Sequence, residues 1–368
     1  MAIITLTSPI KGRETFLLAK DFLRAIIKKQ RRWIRPIKKQ DEATERKQLG
    51  NVDWDIPGHQ RIHAVPQAKD IVEWAQNLGL INVKRKNMWT SFGAILSKIT
   101  TQNQKDAFLC HIELPNPLRL TLKQKIFFLY LILQRDGDFM VPFMRKFPKD
   151  KKFSAKESVD YYFDTWQELV ERLQSSKEYS HINIGKQLSR SISALKRVSA
   201  YERVKSKLEN LTDLGILNRV DERNYNYLSN ADKLQKLNTI PSDKDFLASE
   251  TSFEKAWVSF FDNYFFSRAA DIFEIQASDG TEEIVTKHVL ETYSTLVGGL
   301  GLCRIDEICL LTGIDALCSS EPIIIEQKTS RKAIYDLNKK YGKLVSLHVD
   351  MLGNISYVKI DKSVLNKV

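Results

Sequence analysis

The sequence predicts a mainly α-helical protein with short β-ribbons (an α+β composition). Three observations support this class: apolar residues recur at helical spacing in several segments, a Leu-Gly phrase occurs twice at the end of such a segment, and a short charged ribbon follows each phrase. An apolar content of 43% with 18 Phe, 12 Tyr and 6 Trp is sufficient for folded cores. The length of 368 residues suits two or three domains, and composition places them at 1–115, 116–240 and 241–368.

The repeated phrase reads Asn-Leu-Gly-Leu-Ile-Asn at 77–82 and Asp-Leu-Gly-Ile-Leu-Asn at 213–218. Gly79 and Gly215 come where an amphipathic helix should end in a left-handed residue, which glycine adopts at low cost. The apolar pair after each glycine predicts a strand that returns to the core. After the first charged stretch a hydroxyl residue, Thr90, predicts the start of a new helix.

Helix, glycine stop and charged β-ribbon is an order that resembles the second half of a winged-helix domain. The resemblance covers 65–98 and 195–236, and a third candidate lies in the C-terminal part of the chain. It implies two or three winged-helix-like units joined by helical spacers. It also implies DNA binding as the function.

In the second unit, Ile182 and Ile184 predict a short first strand, and Gly185 to Arg190 predict a short helix. A longer helix follows, with an apolar face formed by Tyr201, Val204, Leu208 and Leu211. The other face carries residue types that contact phosphates and base edges, namely Arg203, Ser206, Lys207 and Asn210. We therefore expect Arg203 and Lys207 to lie on a DNA recognition helix.

Two further helices are predicted in domain 116–240. The apolar run from Leu118 to Gln134 predicts a helix that Thr121 opens and Gly137 ends. Ser154 and Glu157 have capping-box spacing. The apolar and aromatic stripe after them predicts a core helix, and its members are Val159, Tyr162, Phe163, Trp166, Leu169, Val170 and Leu173.

The C-terminal third begins with an aromatic-rich helix around 257–266 and a second helix at 282–297. Residues 304–314 resemble the second helix and turn of a helix-turn-helix unit. Ser319 to Tyr341 is predicted as one helix, opened by Pro322. Alternation in 344–360 around a Gly-Asn turn predicts a hairpin.

The net charge of +12 is unevenly distributed. Residues 241–368 hold 14 Lys/Arg and 19 Asp/Glu, a net charge of −5, which leaves +17 on residues 1–240. One cluster has eight basic residues and no acid, and its members are Arg24, Lys28, Lys29, Arg31, Arg32, Arg35, Lys38 and Lys39. With a second run, Lys84, Arg85 and Lys86, this cluster predicts a clamp on the phosphate backbone.

From these patterns we expect a double-stranded DNA-binding protein without catalysis. With no effector-sensing domain evident, it resembles a recognition subunit of a larger defence, restriction, transposition or replication assembly. Its protein partners would then bind residues 241–368. A protein-interaction scaffold built from winged helices is a further alternative.

A rival interpretation concerns Pro322 to Ser330, which resembles the core strand of PD-(D/E)xK nucleases. Glu326 and Lys328 match the Glu-x-Lys of that family, and Asp315 matches its preceding Asp, although Ile314 replaces the Pro. The resemblance implies that the two carboxylates hold Mg²⁺ and that the lysine activates water. A cofactor, Mg²⁺, is expected only under this nuclease alternative.

Other site classes have no pattern in the sequence. The four cysteines form no CxxC pair and the six histidines are scattered, so we expect no metal site. No GxGxxG or P-loop lysine indicates nucleotide hydrolysis. No run of about 18 apolar residues predicts a membrane span, and the N-terminus lacks a secretory apolar stretch, so a cytoplasmic location is expected.

Overall fold

The computed structural model describes residues 78–80, 90–100, 120–148, 151–221, 224–227, 239–298 and 301–366. This part of the chain is mainly helical with a few short strands, which confirms the predicted mainly α class. The chain divides into two compact units, Met1–Ala231 and Asp232–Val368. Within the described ranges, none of the helices has the length and apolar character needed to cross a bilayer. The predicted division at 115/116 stays a prediction.

In the described residues, the first unit is a helical body with one small sheet. Its described elements are α1 (Ser91–Ile99), α2 (Leu122–Arg145), β1 (Phe153–Ser154), α3 (Ser158–Gln174), α4 (Tyr179–Ser193), α5 (Arg197–Asp213), β2 (Leu217–Arg219) and β3 (Asn224–Tyr227). The strands pair antiparallel in the order β1-β3-β2. Phe153 lies opposite Tyr225, and Leu217 lies opposite Tyr227.

Both glycines of the repeated phrase have a left-handed backbone, as predicted. The φ angle is +73° at Gly79 and +76° at Gly215. After α5 the Ile216 N–H donates to the Leu211 carbonyl at 2.8 Å and the Gly215 N–H donates to that of Thr212 at 2.8 Å. This pair of bonds is a Schellman motif, which satisfies two terminal carbonyls of the helix and redirects the chain into β2.

Helix α2 contradicts the predicted stop at Gly137. A capping box at Thr121 opens the helix, but the helix runs on to Arg145. A helical glycine costs only about 1 kcal/mol relative to alanine. The next turns bury Phe139, Met140 and Phe143 completely or nearly so, which outweighs that cost.

The aromatic stripe of α3 is core, as predicted. Tyr162 and Trp166 are 1% and 2% exposed, and the Trp166 ring lies 4.5 Å from that of Phe139, centroid to centroid. Ser154 and Glu157 make the reciprocal bonds of a capping box in the turn before α3, since the Ser154 N–H donates to the Glu157 carboxylate and the Glu157 N–H donates to the Ser154 hydroxyl. The helix itself begins at Ser158, after Glu157.

The predicted strand at Ile182 and Ile184 is wrong. Both residues lie within the single helix α4, which also contains the predicted separate helix from Gly185. The third strand of the sheet is instead β1, which precedes α3 in the chain and pairs with β3. Two isoleucines two positions apart fit a strand or a helix equally well. Because β1 already pairs with that edge of β3, a helix is favoured here.

The second unit contains the remaining described elements. They are α6 (Asp243–Ala248), α7 (Glu250–Asn263), α8 (Phe265–Phe273), β4 (Ser278–Asp279), α9 (Glu282–Leu296), β5 (Cys303–Arg304), α10 (Ile305–Leu317), β6 (Ile323–Ile324), α11 (Gln327–Tyr341), the 3₁₀ turn Gly342–Leu344, β7 (Val345–Val349), β8 (Ile355–Ile360) and α12 (Lys362–Leu365). The predicted aromatic helix is therefore two helices, α7 and α8, which meet at Tyr264.

A three-stranded antiparallel sheet in the order β5-β8-β7 packs on α9, α10 and α11. The predicted hairpin is confirmed, with Val345 opposite Ile360 and Gly353 at φ +82° in the turn. The core includes Val289 of α9, Ile308 of α10 and Ile334 of α11, none of which is exposed to solvent.

The predicted single helix Ser319 to Tyr341 is wrong. Ile323 and Ile324 form a strand that pairs in parallel with Ser278 and Asp279, and the helix begins at Gln327. Three consecutive isoleucines favour the extended backbone. The parallel partner lies more than 40 residues earlier in the chain, so local sequence does not reveal it.

Candidate nucleic-acid interface

Helix α11 separates its apolar and basic residues onto different sides. Its inner side buries Gln327, Ser330, Ile334 and Leu337. Lys328, Lys332 and Lys339 are exposed. At about 100° per residue these three lysines fall within an arc of roughly 40° and extend about 16 Å along the helix axis. We call Lys328, Lys332 and Lys339 the lysine stripe.

Two lysines of the stripe form ion pairs within the protein, and these ion pairs are weak. The Lys332 ammonium lies 2.7 Å from the Glu282 carboxylate, but both side chains are mostly exposed, at 64% and 89%. The Lys339 ammonium lies 3.5 Å from the Asp336 carboxylate. Exposed ion pairs of this kind contribute about 0 to 1 kcal/mol, so a phosphate can replace either partner.

Arg331 lies on the same helix but has a different role. Its guanidinium reaches Asp306 of α10 at 2.9 Å and Asp262 of α7 at 3.5 Å. Burial raises the pKa of Asp262, and the positive charge of Arg331 opposes that rise. The arginine therefore fixes α11 against two neighbouring helices and leaves the lysines on the outer side.

Residues 327–343 contain six basic side chains (Lys328, Arg331, Lys332, Lys339, Lys340 and Lys343) and one acid, Asp336. They lie in a region, 241–368, whose net charge is −5. Averaging charge over the whole C-terminal third hides this local excess. Counting charges over a stretch as short as 327–343 would have identified the basic character of α11 from the sequence.

Glu326, a residue of the nuclease alternative, binds the backbone of another helix. Its carboxylate accepts the Phe266 N–H at 3.0 Å and the Ser267 N–H at 2.7 Å, at the start of α8. Burial raises the pKa of Glu326, and these two hydrogen bonds oppose the rise. Both carboxylate oxygens are thus occupied by a helix N-terminus.

The other two residues of that alternative lie on helices and not at strand ends. Asp315 lies in the last turns of α10, a helix, where the nuclease resemblance requires a strand end. Lys328 is in the first turn of α11 and is exposed. Among the described residues, no group of three His, Cys, Asp or Glu side chains has the geometry of a metal site.

The predicted recognition face of α5 is packed inside the first unit. The Lys207 ammonium lies 2.5 Å from the Asp136 carboxylate of α2, with side chains only 15% and 5% exposed. It also lies 4.6 Å from the centroid of the Phe139 ring. Ser206 and Asn210 are buried, and one guanidinium nitrogen of Arg203 is out of solvent. Lys207 is therefore the partner of a buried acid, because its side chain reaches Asp136 and Phe139 of α2.

The first unit presents a different basic surface where α4 leads into α5. Lys186, Arg190 and Lys196 are exposed there, and 179–201 contains no acid. We call these three residues the α4–α5 basic surface. Arg197 lies next to it and is 2.6 Å from Asp160 in an exposed ion pair. The absence of acids is the same signal that marks the cluster from Arg24 to Lys39, and it could have identified this surface.

Two predicted groups lie outside the described residues. They are the N-terminal cluster (Arg24, Lys28, Lys29, Arg31, Arg32, Arg35, Lys38, Lys39) and the run Lys84, Arg85, Lys86. Their assignment as phosphate contacts stays a prediction.

No protein-family model, curated protein or solved structure matches this chain.

Proposed function

We propose that this protein binds double-stranded DNA without catalysing a reaction, and that α11 is its main recognition helix. The lysine stripe is the observation that carries the proposal. It places three cations on the outer side of a helix whose inner side is anchored in the core. The major groove of DNA admits one α-helix, and lysines along it can neutralise phosphates on either side.

The order of elements in the second unit supports the proposal. Helix α9, strand β5, helices α10 and α11 and the hairpin β7–β8 come in the order found in winged-helix domains, with the short strand β6 added between α10 and α11. The sheet order β5-β8-β7 agrees with that topology. In such domains the helix before the hairpin enters the major groove. The first unit has the equivalent sheet order, β1-β3-β2, but three helices lie between β1 and β2.

The distribution of charge supports the same function. An acidic region that concentrates its cations on one helix repels DNA elsewhere and orients the duplex on that helix. Residues 1–240, with a net charge of +17, supply the sequence-independent attraction. The α4–α5 basic surface then provides further phosphate contacts from the first unit.

A place in a larger defence, restriction, transposition or replication assembly remains part of the proposal. In such an assembly, residues 241–368 bind the other protein subunits, and the DNA contacts bring the assembly to the DNA site on which it acts. Architecture is the only support for this step.

The test is a salt titration of duplex binding by the full chain. Replacing Lys328, Lys332 and Lys339 by alanine removes up to three phosphate contacts, so the slope of log K against log salt should flatten by about 2 to 3, at roughly 0.9 per contact. The charge-matched control replaces Lys255, Lys287 and Lys362, which are exposed on α7, α9 and α12. An equal slope for both triple variants would contradict the role of α11.

A further inference from the structure

The tip of the β7–β8 hairpin carries an unusual cluster of exposed apolar side chains. Met351 and Leu352 are fully or almost fully exposed, at 106% and 85%, and Val349 and Ile355 beside them are 60% and 48% exposed. Single exposed apolar residues are ordinary on protein surfaces. Here four such side chains lie within seven residues, with Val349 opposite Ile355 across the hairpin, and clusters of exposed apolar residues indicate a binding site.

Hydrogen bonds to the Asp350 side chain bridge the turn at the tip. The Asp350 carboxylate accepts the Leu352 N–H at 2.8 Å, the Asn354 N–H at 3.0 Å and the Ser356 hydroxyl at 3.0 Å. Gly353, at φ +82°, permits the tight turn. These hydrogen bonds lower the pKa of the Asp350 carboxyl group. Met351 and Leu352 are therefore presented to a partner without a large ordering cost on binding.

The size of the patch argues against a protein surface as its partner. A stable protein interface uses roughly 20 to 30 residues on each side. Four apolar residues at a narrow tip are too few for that purpose. One or two inserted side chains are sufficient, however, to open a base step from the minor groove, and Leu and Met are among the residue types that do so.

The charge around the hairpin favours the same partner. The chain enters β7 directly from α11, the helix of the lysine stripe, through a turn that contains exposed Lys343. Lys359, on β8 opposite Ser346, is also exposed, so both lysines lie at the end of the hairpin next to α11. Positive charges on the segments next to an apolar tip are complementary to duplex DNA, whose phosphates are charged and whose stacked bases form an apolar interior.

We propose that Met351 and Leu352 act as a wedge that enters the minor groove of duplex DNA, partly unstacks one base step and bends the duplex. This proposal rests on the proposed DNA-binding function and adds deformation of the DNA to it. The lysine stripe supplies affinity through phosphates, and the wedge makes flexible pyrimidine–purine steps the preferred sites.

The test measures the bend and the binding separately. A duplex labelled at both ends reports bending by energy transfer, and 2-aminopurine placed at a central TA step reports unstacking. Wild-type protein should shorten the end-to-end distance and raise 2-aminopurine fluorescence. The double variant Met351→Ser/Leu352→Ser should lose both signals, keep the salt slope of wild type and weaken binding by no more than about tenfold.

The control variant, Val258→Ser/Ile284→Ser, removes two exposed apolar side chains from α7 and α9 and should bend DNA as wild type does. Unchanged thermal melting of both double variants shows that folding is intact. If wild type binds DNA but leaves it straight, or if the tip variant bends it equally, the wedge is refuted while DNA binding stands. If wild type does not bind duplex DNA, the proposed function is refuted together with the wedge.

Discussion

The Glu326 carboxylate accepts the backbone N–H of Ser267 at 2.7 Å, so the residue before α11 caps the start of α8. The neighbouring Phe266 N–H binds the other oxygen of the same carboxylate. The first N–H groups of a helix have no partner within it, and a carboxylate there also interacts favourably with the helix dipole. The two helices that meet at Glu326 are therefore connected by one side chain.

Replacing Glu326 by alanine should destabilise the second unit by about 2 kcal/mol, because two N–H groups at a partly buried site lose a charged acceptor. Glu326→Gln should lose less, since its amide oxygen can still accept. Thermal or urea unfolding measures both. The nuclease alternative predicts the opposite pattern: DNA cleavage with Mg²⁺ or Mn²⁺ by wild type, and loss of cleavage without loss of stability in Glu326→Ala.

Replacing Lys207 by methionine should destabilise the first unit by about 3 to 5 kcal/mol, because the buried Asp136 carboxylate loses its partner. Adding Asp136→Leu to that variant should recover much of the stability, since no unpaired charge then remains. The folded Lys207→Met protein should bind DNA with the affinity and salt slope of wild type. A lowered slope would return Lys207 to the DNA-contacting residues.

Replacing Gly215 by valine should cost about 1 to 2 kcal/mol or more, because φ is +76° there and a β-branched residue is strained in the left-handed region. Gly79→Val is expected to lose at least as much, because φ is +73° there and an added Cβ would also lie 2.5 Å from a guanidinium nitrogen of Arg135. Gly298 is the matched control, since an added Cβ there meets no atom within 4 Å. Denaturant unfolding should show little change for Gly298→Val, and equal losses at all three positions would contradict the strain argument.

Asp138 should make the stability of the first unit depend on pH. Burial, and then the nearby Asp136 carboxylate, raise the pKa of Asp138 well above its ordinary value. A carboxyl group with a raised pKa in the folded state binds its proton more tightly there than in the unfolded chain. Its contribution to stability is therefore present below the unfolded pKa and is lost as pH rises through the folded pKa.

Asp138→Asn mimics the protonated form, so it should stabilise the protein relative to wild type at pH 8 and make little difference at pH 4. Each pKa unit of the rise corresponds to about 1.4 kcal/mol. Unfolding free energies at the two pH values measure the effect. If Asp138→Asn has the same effect on stability at both, Asp138 does not titrate as described.

Local patterns were sufficient wherever a short segment determines its own structure. Gly79 and Gly215 end their helices because few other residues adopt a positive φ at low cost, and Thr121 opens α2 because its side chain caps the first turn. The hairpin at 345–360 and the core stripe of α3 also follow from local periodicity. The mainly α class therefore follows from the amino-acid sequence alone.

Only the tertiary structure decided which polar residues face solvent. Lys207 and Lys332 both occupy polar faces of amphipathic helices. The Lys207 side chain is mostly buried against α2, where its ammonium pairs with Asp136, whereas the Lys332 side chain is mostly exposed. Glu326 likewise received its partner from a helix about 60 residues earlier in the chain. A helical pattern fixes the side of a helix on which a residue lies, but the element that packs against that side is brought there by the fold.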